Sequence, residues 1–282
     1  MKTILFYGNC QLGALRDIIK KSEFKMSFIA CHSTRLDENR FLSKIQDADI
    51  IITQPISDNY REKPHLSTKY LVENVKPCTK IIVFPSMRGD FYYPDIKRTI
   101  DTNGNDLGGH YRNLINYYIS GNTSDEFIRD VVNNIDFMTE EEINNYADYV
   151  IKSMVTKENE ILERFSEISL IRVSDYIKEN WREKLLFFTV NHATKFIYHF
   201  LAEELKKKLT DDNIKINYKR EPQYGEASII YSCLSKVLKF DIQDVSVWDK
   251  YNCKGTDEIV NLWFEIYNKE QYNFDLNNLT KG

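Results

Sequence analysis

The chain has 282 residues, 42% of them hydrophobic and 13% aromatic, which excludes a disordered chain and allows one large domain or a domain with a helical extension. A net charge of -4 and an isoelectric point near 5.8 exclude a broad basic face for nucleic acid, whose binding is driven by phosphate neutralisation. Five cysteines, Cys10, Cys31, Cys78, Cys233 and Cys253, are odd in number and form no C-x-x-C pair, so free thiols are expected rather than a disulfide framework or a metal site.

Thr3 to Tyr7 reads as a buried-type strand. No apolar run approaches the roughly 18 residues that span a bilayer, and no small-residue cleavage site follows the opening, so a cytoplasmic protein without a transmembrane segment is expected. Gly8-Asn9-Cys10-Gln11 then forms a turn into a helix from Gln11 to Lys21, followed by a strand from Lys25 to Cys31. The β-branched runs Asp49 to Thr53 and Lys80 to Phe84 have the continuous apolar character of parallel strands covered on both faces. Each ends in polar or turn residues, Gln54-Pro55 and Pro85-Ser86. Loops after the carboxyl ends of parallel strands gather at one sheet edge, where ligands bind.

Asp101 to Gly109 is rich in Asn, Gly and Asp and reads as an exposed loop. Thr123-x-x-Glu126 and Thr139-x-x-Glu142 have capping-box spacing, which starts helices near Ser124 and Glu140, the second running to about Glu167. A strand from Lys184 to Val190 leads through Asn191-His192 into a helix from Ala193 to Leu209. Two more helices are expected over Glu226 to Phe240 and Thr256 to Asn268. These elements describe an α/β fold with a parallel-sheet, three-layer core (Rossmann-like or SGNH-like) and helical additions. The boundary is drawn between a catalytic domain, 1-209, and a mainly helical extension, 210-282, connected by Asp211-Asp212-Asn213.

Cys10 is the leading candidate nucleophile, because a helix N-terminus favours a thiolate or an oxyanion. Asn9 and Gln11 flank it with amides suited to an oxyanion. His192 stands at a similar turn and is the candidate base, with Asn191 beside it to orient the ring. Arg88, Arg112 and Lys195 are candidate cations for a phosphate-bearing ligand. His110, between a loop and a helix, is a weaker candidate, as are His32, His65 and His199. Phe91-Tyr92-Tyr93-Pro94 suits either stacking on a sugar or adenine ring or packing in a core. No Gly-x-Gly-x-x-Gly and no Walker-type sequence is present, which disfavours standard nicotinamide and ATP enzymes.

Ile4-Leu5-Phe6-Tyr7-Gly8-Asn9-Cys10-Gln11, Gln54-Pro55, Pro85-Ser86, Gly109-His110-Tyr111-Arg112 with Gly121, and Asn191-His192-Ala193-Thr194 together resemble the WcbI-type polysaccharide biosynthesis proteins over about residues 3 to 205. The resemblance implies a bacterial enzyme of capsular or surface-polysaccharide synthesis that binds coenzyme A (CoA) or acetyl-CoA as co-substrate and acetylates a sugar. It implies catalytic roles for Cys10, His192, Asn9 and Gln11. With it, Gly8, Gln54, Ser86, Arg88, His110, Arg112, Asn191 and Lys195 are expected at the cofactor site, with no metal. Two departures stand out: the order is His110-Tyr111 where the family has Tyr-His, and Ala193 replaces a proline. The turn also resembles SGNH-type esterases, but Thr189 stands where their Asp-x-x-His would have its aspartate. Transfer to a sugar hydroxyl is therefore preferred over hydrolysis by an esterase or a non-catalytic CoA-binding role.

Overall fold

The computed structural model describes residues 1–20, 24–33, 36–210, 214–223, 228–242, 255–270 and 274. In chain order the strands are β1 (Thr3–Gly8), β2 (Ile19–Lys20), β3 (Lys25–Ala30), β4 (Ile50–Thr53), β5 (Lys80–Val83), β6 (Ile96–Ile100), β7 (Asp106–Tyr111), β8 (Ser169–Leu170) and β9 (Lys215–Ile216). The α-helices are α1 (Cys10–Ile18), α2 (Glu38–Asp47), α3 (Thr68–Asn74), α4 (Arg112–Ile119), α5 (Ser124–Phe127), α6 (Glu140–Arg164), α7 (Ser174–Asn180), α8 (Lys195–Leu209) and α9 (Thr256–Glu270).

Contacts divide the chain into two interleaved units: Met1–Met87 with Ile151–Asn180 and Ala193–Gln223, and Arg88–Val150 with Trp181–His192 and Tyr224–Gly282. The expected boundary at 209/210 does not coincide with this division, since β9 pairs antiparallel with β2 in the first unit whereas α9 packs with α4 and α5 in the second.

The first unit is built on a five-stranded sheet in the order β3-β1-β4-β5-β8, all parallel. Ile50 to Thr53 and Ile81 to Val83 are buried throughout, because helices cover both faces and leave no face for polar alternation. A β-strand alternates its side chains between faces, so Leu5, Tyr7, Ile51, Ile81 and Val83 share one core with Phe41 and Ile45 of α2, Leu71 of α3 and Ile161 of α6. Crossovers between parallel strands are right-handed. The chain moves from β1 to β3 in one direction and from β3 to β4 in the other, so α1 and α2 cover opposite faces. Helix α1 packs on α8, whose buried Ile197, Leu201 and Leu205 share its side of the sheet. The result is the three-layer α/β core.

In the second unit the antiparallel hairpin β6-β7 joins α4, α5 and α9 around an aromatic core that includes Tyr111, Phe127, Tyr231, Phe264 and Tyr267. The expected loop at Asp101 to Gly109 is largely this hairpin. Its turn is closed by Asp101, whose Oδ1 accepts from Asn103 N at 2.9 Å and Asn105 N at 2.7 Å. Both capping boxes form, with Glu126 Oε2 accepting from Thr123 N and Glu142 Oε2 from Thr139 N, each at 2.7 Å.

Two expected elements do not form among the described residues. Lys184 to Val190 is irregular: Tyr92 Oη accepts from Leu186 N, Phe187 O accepts from Tyr93 Oη, and Val190 O accepts from Gly89 N. Tyrosine hydroxyls and a loop amide thus occupy backbone groups that a ladder would need. Of Glu226 to Phe240, Glu226 and Ala227 lie outside the described residues, and the rest forms only the short 3-10 turn Ser232–Lys236. The connection Asp211-Asp212-Asn213 also lies outside the described residues.

Candidate active site

Strands β3 and β4 flank β1, and the chain reaches them by crossovers on opposite faces. The carboxyl ends of β1 and β4 therefore bound the crevice where strand order reverses, the usual ligand position in open parallel sheets. Gly8 ends β1 at this point. A Cβ there would lie 2.9 Å from Gln54 Oε1 and 3.0 Å from Leu12 Cδ2, so glycine is what lets the three groups approach. Asn9 is the N-cap of α1, its side chain accepting from Gln11 N at 2.8 Å. Cys10 follows as the first helical residue, with its side chain exposed at the positive end of the helix.

Beneath the turn lies a closed amide network. Gln54 Oε1 accepts from Asn9 N at 3.2 Å, while Gln54 Nε2 donates to Gln11 Oε1 at 2.7 Å. Gln11 Nε2 donates to Met87 O at 2.9 Å, and Met87 N donates back to Gln11 Oε1 at 3.1 Å. These bonds tie the ends of β1, β4 and β5 together. Gln11 is fully buried, so its amide shapes the turn from below and does not face an incoming oxyanion. Asn9 is half-buried, and its Nδ2 lies 3.4 Å from the exposed Ser86 hydroxyl. Of the two amides flanking Cys10, Asn9 is the one placed to reach a ligand.

Two further ionisable groups lie within electrostatic reach of Cys10. Burial raises the Cys31 thiol, and the neighbouring Cys10 adds to the rise. Burial holds the Tyr198 hydroxyl far above its usual range, with smaller contributions from Cys10 and Glu221. Glu221 was not anticipated from the sequence. Burial pushes its carboxyl up to about 7, against the Lys195 backbone N–H that it accepts and the Lys195 charge. Its Oε1 is buried without a hydrogen-bond partner among the described residues. Gln223 Oε1 accepts from Ala193 N at 3.0 Å and from the Tyr198 hydroxyl. Segment 221–223 thus supplies the cap that Thr194, whose side chain makes no cap bond, leaves unmade on α8. No local motif marks Glu221 or Gln223, because their partners Lys195, Ala193 and Tyr198 lie on a segment far earlier in the chain.

Lys195 is half-buried, with its ammonium 5.8 Å from the Phe196 ring centre. The remaining expected site residues belong to the second unit. Arg88 is exposed and forked onto Asp90 at 2.8 and 2.6 Å, so part of its charge is already matched. Arg112 opens α4, and its charge partly offsets the effect of burial, which raises the Asp95 carboxyl. His110 lies inside the aromatic core, its ring between Tyr267 Oη at 3.1 Å and Leu107 O at 3.0 Å and packed on Trp263. Burial lowers this imidazole, and a cofactor contact by the buried ring is disfavoured. Phe91, Tyr92 and Tyr93 are likewise buried and pack in the core, so they offer no stacking face. Asn191 is exposed and accepts from the Thr189 hydroxyl at 3.2 Å. His192 is half-buried in a tight turn, with its N–H donating to Thr189 Oγ1 at 3.1 Å and its carbonyl accepting from Phe188 N.

The family model described as polysaccharide biosynthesis enzyme WcbI matches residues 3–210. The chain belongs to the WcbI family. A solved WcbI structure, described as a novel polysaccharide biosynthesis enzyme in its native form without a disulfide bond between CoA and a cysteine, superposes with a TM-score of 0.81. It is 18% identical, and the match covers 95% of this chain and 90% of that one, so the fold is shared well beyond the matched family segment. No curated protein matches in sequence. As a WcbI-family protein the chain is a polysaccharide biosynthesis enzyme by family. Among its described residues no helix is long and apolar enough to cross a membrane, and no group of His, Cys, Asp or Glu is suited to a metal ion.

Proposed function

We propose that this WcbI-family protein is a cytoplasmic, bacterial acetyl-CoA-dependent O-acetyltransferase acting on a sugar in capsular or surface-polysaccharide synthesis. One observation carries the reading: an exposed thiol on the first residue of a helix, at the crevice where strand order reverses. The structurally related WcbI protein is described as a form without a disulfide bond between CoA and a cysteine, a pairing of CoA with a thiol that supports placing the thiol end of CoA beside Cys10. The bound thioester would supply the acyl group.

The residues then divide the work. Asn9 offers Nδ2 to the oxyanion of acyl transfer, while Gly8, Gln11 and Gln54 hold the turn that aims it. His192, oriented with Asn191, removes a proton from the acceptor hydroxyl or from the Cys10 thiol. Ser86, Arg88, Arg112 and Lys195 supply hydrogen bonds and positive charge for the phosphates of CoA. His110 is assigned a packing role instead.

Native mass spectrometry of the purified protein tests the reading, with CoA expected as a bound or disulfide-linked adduct lost in Cys10→Ala. Release of CoA from acetyl-CoA should then depend on added sugar, whereas an esterase would cleave an aryl acetate alone. His192→Ala should slow transfer by roughly 10²–10⁴-fold, the usual contribution of a general base. No CoA binding at millimolar ligand would overturn the proposal.

A further inference from the structure

In the second unit a cleft of about 520 Å³ opens between the turn after α4 and one face of α9. Its size falls within the roughly 300–1,000 Å³ range of small-molecule sites. Phe264, nearly buried, and the half-exposed ring of Tyr118 form an apolar floor, with the two rings edge to face at 5.9 Å. Around it stand the side chains of Asn122, Ser124, Asn261, Glu265 and Asn268. Among the described residues, none of these five has a side-chain hydrogen-bond partner. The α9 members fall at i, i+4 and i+7, a spacing that aligns them along one helix face.

The wall opposite α9 is held in place. Gly121 takes the left-handed conformation at φ 77°, its N–H donating to Tyr118 O at 3.1 Å, and Asn122 N donates to Tyr117 O at 3.0 Å. The capping box of Thr123 and Glu126 follows immediately. A Cβ at Gly121 would meet nothing within 4 Å, so the space above the turn is open. The Asn122 carboxamide on this pre-set wall, like those of Asn261 and Asn268 on α9, can bind without first breaking internal bonds.

The chemistry of the lining selects the ligand. Among the described residues no lysine or arginine lines the cleft, and Glu265 adds a negative charge, which disfavours phosphates and therefore CoA. Carboxamides offer both donors and acceptors, as vicinal hydroxyls require, and an aromatic floor suits the apolar face of a pyranose. We propose that this cleft is a glycan-binding subsite for a neutral sugar segment of the polysaccharide, separate from the Cys10 crevice. The choice of sugar as probe rests on the proposed function.

The test follows side-chain amide NMR signals of Asn122, Asn261 and Asn268 in the full chain during titration with neutral trisaccharides of glucose, galactose, mannose or N-acetylglucosamine. At least one sugar should shift them, and Asn261→Ala with Asn268→Ala should weaken that sugar about tenfold or more. Both positions are exposed, so the double variant should melt with the parent. No shift with any sugar, shifts that survive the double variant, or shifts by CoA alone would overturn the subsite. CoA on the same preparation, measured by mass spectrometry, reports on the acetyltransferase reading separately.

Discussion

At Gly8 the distance between backbone and neighbours decides the residue. A methyl group would press on Gln54 Oε1, which is tied into the amide network, and on the buried Leu12. Gly8→Ala should cost about 1–3 kcal/mol, the usual range for overpacking, and lower the urea midpoint. An unchanged midpoint would mean that the network yields freely. Glu221 makes a prediction of pH dependence. Burial raises its folded-state pKa from 4.5 to about 7, so the folded state holds this proton more tightly than the unfolded chain. The stability associated with it is fully present below the unfolded value and is lost as pH rises through about 7. Glu221→Gln removes that decline, so the variant should gain on the parent between about pH 5 and about pH 8 in urea titrations. Parallel curves for the two proteins would refute the assignment. Cys10 was legible from the turn around it, whereas Glu221 gains its character only from what is folded over it.

At the scale of elements, local rules were read best where partners lie within one turn. Thr139 Oγ1 accepts from Glu142 N at 3.2 Å, and the Glu142 carboxylate accepts in return, as the spacing predicts. Thr139→Ala should therefore cost about 1 kcal/mol, whereas Thr156→Ala, which removes only an exposed hydroxyl bonded back to Lys152 O, should be near neutral. Equal losses would argue against the cap. The strand expected at Lys184 to Val190 failed for the opposite reason. Its apolar run resembles β4 and β5, but Tyr92 and Tyr93, about 94 residues away, take its backbone groups. The Asn- and Gly-rich stretch before His110 shows a similar limit, since turn composition does not distinguish an open loop from the tip of a hairpin.

Across the whole molecule, strand position in the sheet sets the order of opening. β1, β4 and β5 are flanked on both sides and buried, whereas β3 and β8 are edge strands. Hydrogen exchange should be slowest at amides of Ile51, Ile52 and Ile82 and faster in β3. Slower exchange at the edge than at the centre would contradict this topology. The sequence alone determined β1, β3, β4 and β5, the starts of α5, α6 and α9 and the exposed thiol turn, because each depends on apolar runs or on capping partners a few residues apart; the two-residue β8 and the helices α2, α3 and α7 were not read from it. Tertiary structure decided which residues share a unit, why Gln11 faces inward, and where Glu221 and His110 are buried. Those outcomes depend on contacts between segments far apart in the chain, and such contacts leave no periodic trace in the order of residues.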